Sequence, residues 1–439
     1  MPPAKGGGME IRMSIIYTLL ILGVLVTVHE FGHFIVAKKC GIGVIEFSIG
    51  MGPRLFSFDK NGTKYSLKLI PFGGSCAMVG EDEDNDAENA FNNKSPWARL
   101  AVVFAGPFFN FLLAFVVAAI IIAFMGINPP KVNYVYEGYG AAEAGIQEGD
   151  LIKSINGKKM VLGKDISLYE VVNELPDEVE IVFERDGKRQ TAVYNTEYER
   201  YQMGISYMNQ GDAPALTEVY PGTPAESAGL KAGDIIVSIN GTDVSSGTEV
   251  YNYFRDNEIG SAAVDFVVKR DGEQVAVTVT PALIKDKTLG FIASYAREKA
   301  GLFSTLRNAL SEVRFSISNV IYSIKMLITG RANVSDVAGP VGMVSIVGDV
   351  VEQSSQDGAI YVIMNLLNLV VLLSANLGVM NLLPIPALDG GRIMLTLFEI
   401  IRRKPLDREK EGMVNGIGFI ILFALMILVM FNDIFKLLR

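Results

Sequence analysis

The chain has 439 residues, of which 50% are hydrophobic and 20% charged, and its mean hydropathy is +0.32. Soluble domains carry roughly 25% charged residues, so the composition argues against a wholly soluble protein and for membrane spans joined to water-exposed domains. A formal net charge of −9 argues against a nucleic-acid partner, two cysteines (Cys40 and Cys76) exclude a disulfide scaffold, and two histidines (His29 and His33) exclude a His-rich metal site.

Residues 1–12 read as a leader, with Met1–Gly8 an added segment ahead of a native start at Met9 or Met13. Four apolar stretches then approach the ~20 residues that a bilayer-crossing helix needs. The first, Met13–Ala37, is too long for a cleaved signal peptide and lacks an A-x-A-like site after it. Next, Phe47–Gly74 alternates apolar residues around turn signals at Asn61-Gly62 and Gly73-Gly74, which reads as β-hairpin structure. Gly50-Met51-Gly52 lacks the rest of a dinucleotide fingerprint and reads as a turn. The acidic run Glu81–Glu88 reads as a solvated loop. The second span, Leu100–Ile127, follows Trp97, an interfacial anchor. Residues 13–127 thus form one membrane segment.

Residues 138–157 and 222–241 match at 11 of 20 positions at an offset of 84. Their shared pattern, A-x-x-A-G-[IL]-x-x-G-D-x-I-x-x-I-N-G, resembles PDZ domains and divides the region into 128–209 and 210–290. PDZ domains take peptide ends as an added strand at a sheet edge. A connector follows over 291–359. In it, Leu302–Thr329 reads as an amphipathic helix on the protein or the outer membrane face, and Gly339-Pro340 breaks the chain. The third span is Ile360–Leu383, and the fourth, Val414–Phe431, is short; both lie within 360–439.

Cationic residues orient these spans. Lys38, Lys39, Lys94 and Arg99 flank the first inner loop, and Arg392, Arg402, Arg403, Lys404, Arg408 and Lys410 lie between the third and fourth spans. By the positive-inside rule both loops are cytoplasmic, so both termini and 128–359 lie outside. Cys40 and Cys76 then fall on the reducing side.

Residues 29–33 spell HEFGH inside the first span. On a helix, residues four apart share one face, so His29 and His33 can bind one Zn²⁺ while Glu30 acts as general base. Ionisable groups in an apolar span are costly and suggest function. A third protein ligand must be Asp, Glu or Cys, because the histidines are exhausted. Cys40 is two turns beyond His33 and too far along the axis. Cys76 is possible, although it follows a Gly-rich loop. Asp389 is the better candidate, at the end of the third span in NLLPIPALDGGR, where two prolines and two glycines permit irregular backbone. Orientation puts it at the same cytoplasmic depth as the histidines.

HEFGH in one span and N-x-x-P-x-P-x-L-D-G at the end of a later one resemble the site-2 proteases, which are intramembrane zinc metalloproteases. Four spans with two PDZ-like domains between the second and third resemble the sigma-E-regulating branch of that family in Gram-negative bacteria. The resemblance covers nearly the whole chain from Met13. It implies a polytopic α-helical membrane protein of four spans, a membrane-associated β-hairpin and two tandem PDZ-like α+β domains in the bacterial inner membrane, with the PDZ-like domains periplasmic. It implies His29, His33 and Asp389 as zinc ligands, Glu30 as catalytic base, and Asn376 and Asn381 as contacts to an unwound substrate backbone. It matches Phe104–Asn110 (FAGPFFN) to a family motif, for which helix packing at Gly106 is an equal account. The implied partners are the lipid bilayer, peptide ends at the PDZ-like domains, and a single-span substrate of the anti-sigma-factor kind, already trimmed by a first protease, or a remnant signal peptide. The competing class is a catalytically silent PDZ scaffold, against which the intact His29, Glu30, His33 and Asp389 set argues.

Overall fold

The computed structural model describes residues 7–81, 85–208, 213–293, 297–333, 337–355, 357–404 and 408–437. It divides into two compact units, one of Met1–Pro129, Val161–Leu168 and Tyr295–Arg439, the other of Pro130–Met160 and Tyr169–Ser294.

The first unit opens with helix α1 (Gly7–Lys39). The helix starts inside the segment read as a leader, of which residues 1–6 lie outside the described residues. Strands β1 (Val44–Lys60) and β2 (Thr63–Met78) follow, joined at Asn61-Gly62, where both residues have positive φ as a tight hairpin requires. The sequence expectation needs correction at two points. Gly73-Gly74 lies within β2 and is not a second turn, and Cys76 is a buried strand residue rather than a neighbour of a loop. Two bends explain this. Gly50 and Gly52 (φ +83° and +84°) turn β1 back, so that Phe47 lies opposite both Cys76 and Tyr65. Phe47, Cys76 and Met78 then share a small apolar core with Ala37 of α1.

Helix α2 (Pro96–Met125) starts where Ser95 accepts from the Ala98 N–H and proline fills the first turn. Trp97 in that turn is exposed, as an interfacial anchor should be.

The second unit carries the repeat. Its first part has β3 (Val132–Val135), α3 (Gly140–Glu143), β4 (Leu151–Ile155), β5 (Lys158–Lys159), α4 (Gly163–Val172, which begins in the first unit), β6 (Glu178–Arg185) and β7 (Lys188–Asn195). Then come β8 (Glu197–Gln202), β9 (Ile205–Tyr207), β10 (Leu216–Val219), α5 (Pro224–Ser227), β11 (Ile235–Ile239), β12 (Thr242–Asp243), α6 (Gly247–Asp256), β13 (Val264–Arg270), β14 (Glu273–Val279), β15 (Ala282–Lys287) and β16 (Phe291–Ala293). The two parts repeat in detail. Their sheets run β5-β4-β6-β7 and β12-β11-β13-β14. Each closes its last hairpin on Asp-Gly with positive φ, at Asp186 and Asp271. Each also buries an aspartate under an arginine: Asp150 accepts two bonds from Arg185, and Asp234 two from Arg270. The strands nevertheless cross the sequence boundaries at 209 and 290. β9, ahead of the first, pairs with β10 of the second part, whereas β16, beyond the second, pairs with β3 of the first part.

The first unit resumes with α7 (Leu302–Ile328), α8 (Pro340–Ser355), α9 (Ala359–Asn381), α10 (Asp389–Arg402) and α11 (Arg408–Leu437). The amphipathic helix and the Gly339-Pro340 break fall where the sequence puts them. A core of Leu25, Ala114, Ala118, Ala309, Val347 and Val370 joins α1, α2, α7, α8 and α9. Among the described residues, four helices are long and apolar enough to cross a membrane: Arg12–Lys39, Pro96–Met125, Ala359–Asn381 and Glu411–Lys436. The fourth is therefore not short. Asp433 near its end is buried, accepting from the Gly339 and Gly342 N–H groups at the start of α8. A helix N-terminus stabilises a carboxylate there, so the acid does not end the helix. The third span ends at Asn381, and Asp389 opens the separate amphipathic helix α10.

Candidate active site

Two glycines let α1 and α2 approach closely. A Cβ on Gly32 would fall 2.9 Å from the Ala105 carbonyl carbon, and one on Gly106 would fall 2.5 Å from Cε1 of His33 and 2.7 Å from Cε1 of His29. The backbone of α2 therefore lies directly against both imidazoles. It also orients them. His33 Nδ1–H donates to the Val102 carbonyl oxygen at 2.8 Å, and His29 Nδ1 lies 3.0 Å from the side-chain amide of fully buried Asn110. With the Nδ1 atoms so engaged, the two Nε2 atoms face one another at 3.1 Å.

Asp389 meets them from α10. Leu382–Leu388 reverses the chain after α9, with Ala387 held at φ +72°. The reversal packs on the first turn of α10, where a Cβ on Gly390 or Gly391 would fall 2.5 Å from a carbonyl oxygen of Leu382 or Ile385. Asp389 Oδ2 thereby reaches 3.0 Å from His29 Nε2 and 3.4 Å from His33 Nε2. It is buried without a hydrogen-bond partner. Three electron-rich atoms at such separations repel unless a cation lies among them. In a tetrahedral zinc site with ligand bonds of ~2.0–2.1 Å, ligand atoms sit ~3.3 Å apart. The donor set thus fits Zn²⁺.

These side chains line a cavity of about 310 Å³ with Glu30, Cys76, Glu81, Asn381 and Arg392. Glu30 and Cys76 line this cavity together, so the β-hairpin borders the general-base candidate. Burial pushes the Cys76 thiol up, with the Glu30 and Glu81 charges adding to the rise. Among the described residues, the cluster able to hold a metal is His29, His33 and Asp389, without Cys76. Asn381 lines the cavity and Asn376 is not among the lining residues. At 3.6 residues per turn the two asparagines point about 140° apart.

Sequence reasoning missed three features. Asn110 and Gly106 lie in FAGPFFN, so the motif was visible although its contact with the histidines was not. Glu81, read as a solvated residue, pairs with Arg392 of α10 beside the cavity; residues 82–84 of that acidic run lie outside the described residues. Arg99 of α2 bonds Glu399 of α10 at 2.7 Å, fixing the far end of the helix that carries Asp389.

Comparison with known proteins agrees with this chemistry. The solved PDZ domain of HtrA3 bound to a phage-derived ligand is 19% identical and aligns with 20% of this chain and 91% of its own at a TM-score of 0.18, too slight a likeness to carry weight. Zinc metalloprotease RasP of Geobacillus kaustophilus is 31% identical over 455 residues, covering 97% of this chain and 99% of its own. The regulator of sigma-W protease RasP of Bacillus subtilis is 31% identical over 454 residues, covering 97% and 99%. The regulator of sigma-E protease RseP of Salmonella typhimurium is 30% identical over 461 residues, covering 97% and 100%. Peptidase family M50 matches residues 17–425, and the chain belongs to that family, the site-2 proteases, as a membrane-associated zinc metalloprotease.

Proposed function

We propose that this protein cleaves single-span membrane proteins of the anti-sigma-factor kind at a zinc site built by His29, His33 and Asp389, with Glu30 as base. The observation that carries this reading is the convergence of those four side chains on one cavity, three of them from the span α1 and Asp389 from the start of α10. When bound there, zinc acts as a Lewis acid toward the scissile carbonyl and lowers the pKa of water. The residues do the rest. Val102 and Asn110 hold the imidazoles with Nε2 inward. Glu30 takes a proton from the attacking water and returns it to the departing nitrogen. Asn381 bonds the substrate backbone once the helix is unwound, and Asn376 meets substrate only outside the cavity, along α9.

The charge distribution supports inner-membrane insertion with the loops after α1 and α9 in the cytoplasm, and both termini and the repeat outside. The repeated sheets support two PDZ-like modules. Strand pairing supports boundaries of 130–196 with 288–293 for the first and 203–280 for the second, so that the second is inserted into the first. Such modules would act as a size filter, admitting substrates that have lost a bulky outer domain.

The test is cleavage of a tagged single-span substrate by purified protein, with and without a zinc chelator. Glu30→Gln should keep zinc and lose cleavage. Full activity in that variant would sink the mechanism.

A further inference from the structure

The reversal that carries Asp389 holds Ala387 at φ +72°, a conformation that persists in an alanine only where its surroundings impose it. The bonds inside the reversal are short-range: the Leu383 N–H donates to the Met380 carbonyl oxygen, and the Leu388 N–H to that of Ile385. The contact from outside comes from α11. Asn415 Oδ1 accepts the Ala387 N–H at 3.3 Å. Three residues on, and so on the same helical face, a Cβ on Gly418 would fall 2.5 Å from both Cβ and the carbonyl oxygen of Pro386. Among the described residues α11 is the least buried of the four span-length helices, yet Gly418 is buried. Irregular backbone at membrane depth needs protein or water around it, and here α11 supplies the protein. The height of α11 is fixed elsewhere, by the bonds from α8 to Asp433, about 27 Å further along the helix at 1.5 Å per residue.

We propose that Asn415 and Gly418 are positioning residues for the metal centre. Asn415 holds the left-handed backbone of Ala387 by its N–H, and Gly418 seats Pro386 against α11, so that Asp389 two residues on is presented to His29 and His33. This rests on the reading of His29, His33 and Asp389 as the zinc site. Neither residue reaches metal or substrate; each acts through the Pro386–Ala387 backbone. The fourth span is then a brace for a zinc ligand and not only a membrane anchor. The bland account is that the two residues serve only to pack α11.

The experiment measures zinc affinity of the full-length protein in lipid particles, by competition with a chromogenic chelator, so that no substrate is needed. Contacts behind a metal ligand are worth about 10–100-fold in affinity. Asn415→Ala should lose that much, whereas Asn415→Asp, which keeps an acceptor oxygen in the same place, should stay within about threefold of wild type. Gly418→Ala should lose at least about tenfold, although alanine favours a helix. Gly416→Ala is the control, since its Cβ would meet nothing within 4 Å; it should bind zinc as wild type does. Helical content should match wild type throughout. Wild-type affinity in Asn415→Ala or in Gly418→Ala would overturn the role of that residue. Equal losses in Asn415→Asp and Asn415→Ala, or in Gly416→Ala and Gly418→Ala, would overturn the proposal in favour of general packing, as would a fall in helical content alongside zinc. Wild-type protein that binds no zinc would instead overturn the reading of the site itself.

Discussion

Gly106→Ala sets two effects of opposite sign against each other. Glycine inside a helix costs about 1 kcal/mol relative to alanine, so the substitution should favour α2 locally. The added Cβ, however, would lie 2.5 Å from Cε1 of His33 and 2.7 Å from Cε1 of His29. Carbon atoms pack at about 3.5–4.0 Å, so each ring must retreat by roughly 1 Å. Neither can do so freely, because His33 is bonded to Val102 and His29 contacts Asn110 on the same helix. A displacement of about 1 Å from productive geometry can cost 10²-fold in rate. Overpacking costs about 1–3 kcal/mol, which offsets or exceeds the helix gain, so the protein should keep or lower its thermal midpoint, lose most of its zinc by elemental analysis, and lose at least about 10²-fold in cleavage. A Gly106→Ala protein that held one zinc per chain and cleaved at the wild-type rate would refute the close approach of α2 to the imidazoles.

Three further outcomes are expected. Asn110→Ala removes the group orienting His29, and such outer contacts are worth about 10–100-fold in metal affinity; competition against a chromogenic chelator measures it. Ala387→Val forces a β-branched residue into left-handed backbone, at a cost on the order of 1–3 kcal/mol, and should lower zinc occupancy, whereas Ala387→Gly should retain it. Burial of Asp234 alone would raise its carboxyl, but the bonds from Arg270 and the Lys231 N–H reverse this and hold it below the ordinary value. A depressed folded-state value stabilises the repeat above about pH 3.9, and the contribution fades as the pH falls further. Hydrogen exchange of the second repeat in the full-length protein should accelerate below that pH, and Asp234→Asn should flatten the dependence.

What the sequence reveals is what local spacing encodes. The spans follow from hydropathy, and the pairing of His29 with His33 from helical period. Asp389 stands out because prolines and glycines punctuate its surroundings. The crossing of α1 over α2 is not local. It depends on which face of each helix carries its glycine, so the contact of Asn110 and Gly106 with the imidazoles could not be read from FAGPFFN alone. Cys76 was misplaced because glycines that usually mark turns here bend a continuing strand. The fourth span, read as Val414–Phe431, runs on past Asp433 because that acid is met by the start of α8, 91 to 94 residues away. The repeat itself is plain, but the pairing of β16 with β3 joins strands remote in sequence, which residue patterns do not record.

The concentration of both histidines in one site has a spectroscopic consequence. In a protein labelled with ¹⁵N only at histidine, every ring-nitrogen resonance arises from His29 or His33. Tautomer, protonation and ligation shift such resonances in distinct directions. The resting chemistry of the centre can therefore be followed inside a lipid particle without sequence-specific assignment, and the arrival of substrate or inhibitor would be seen as a change in four lines.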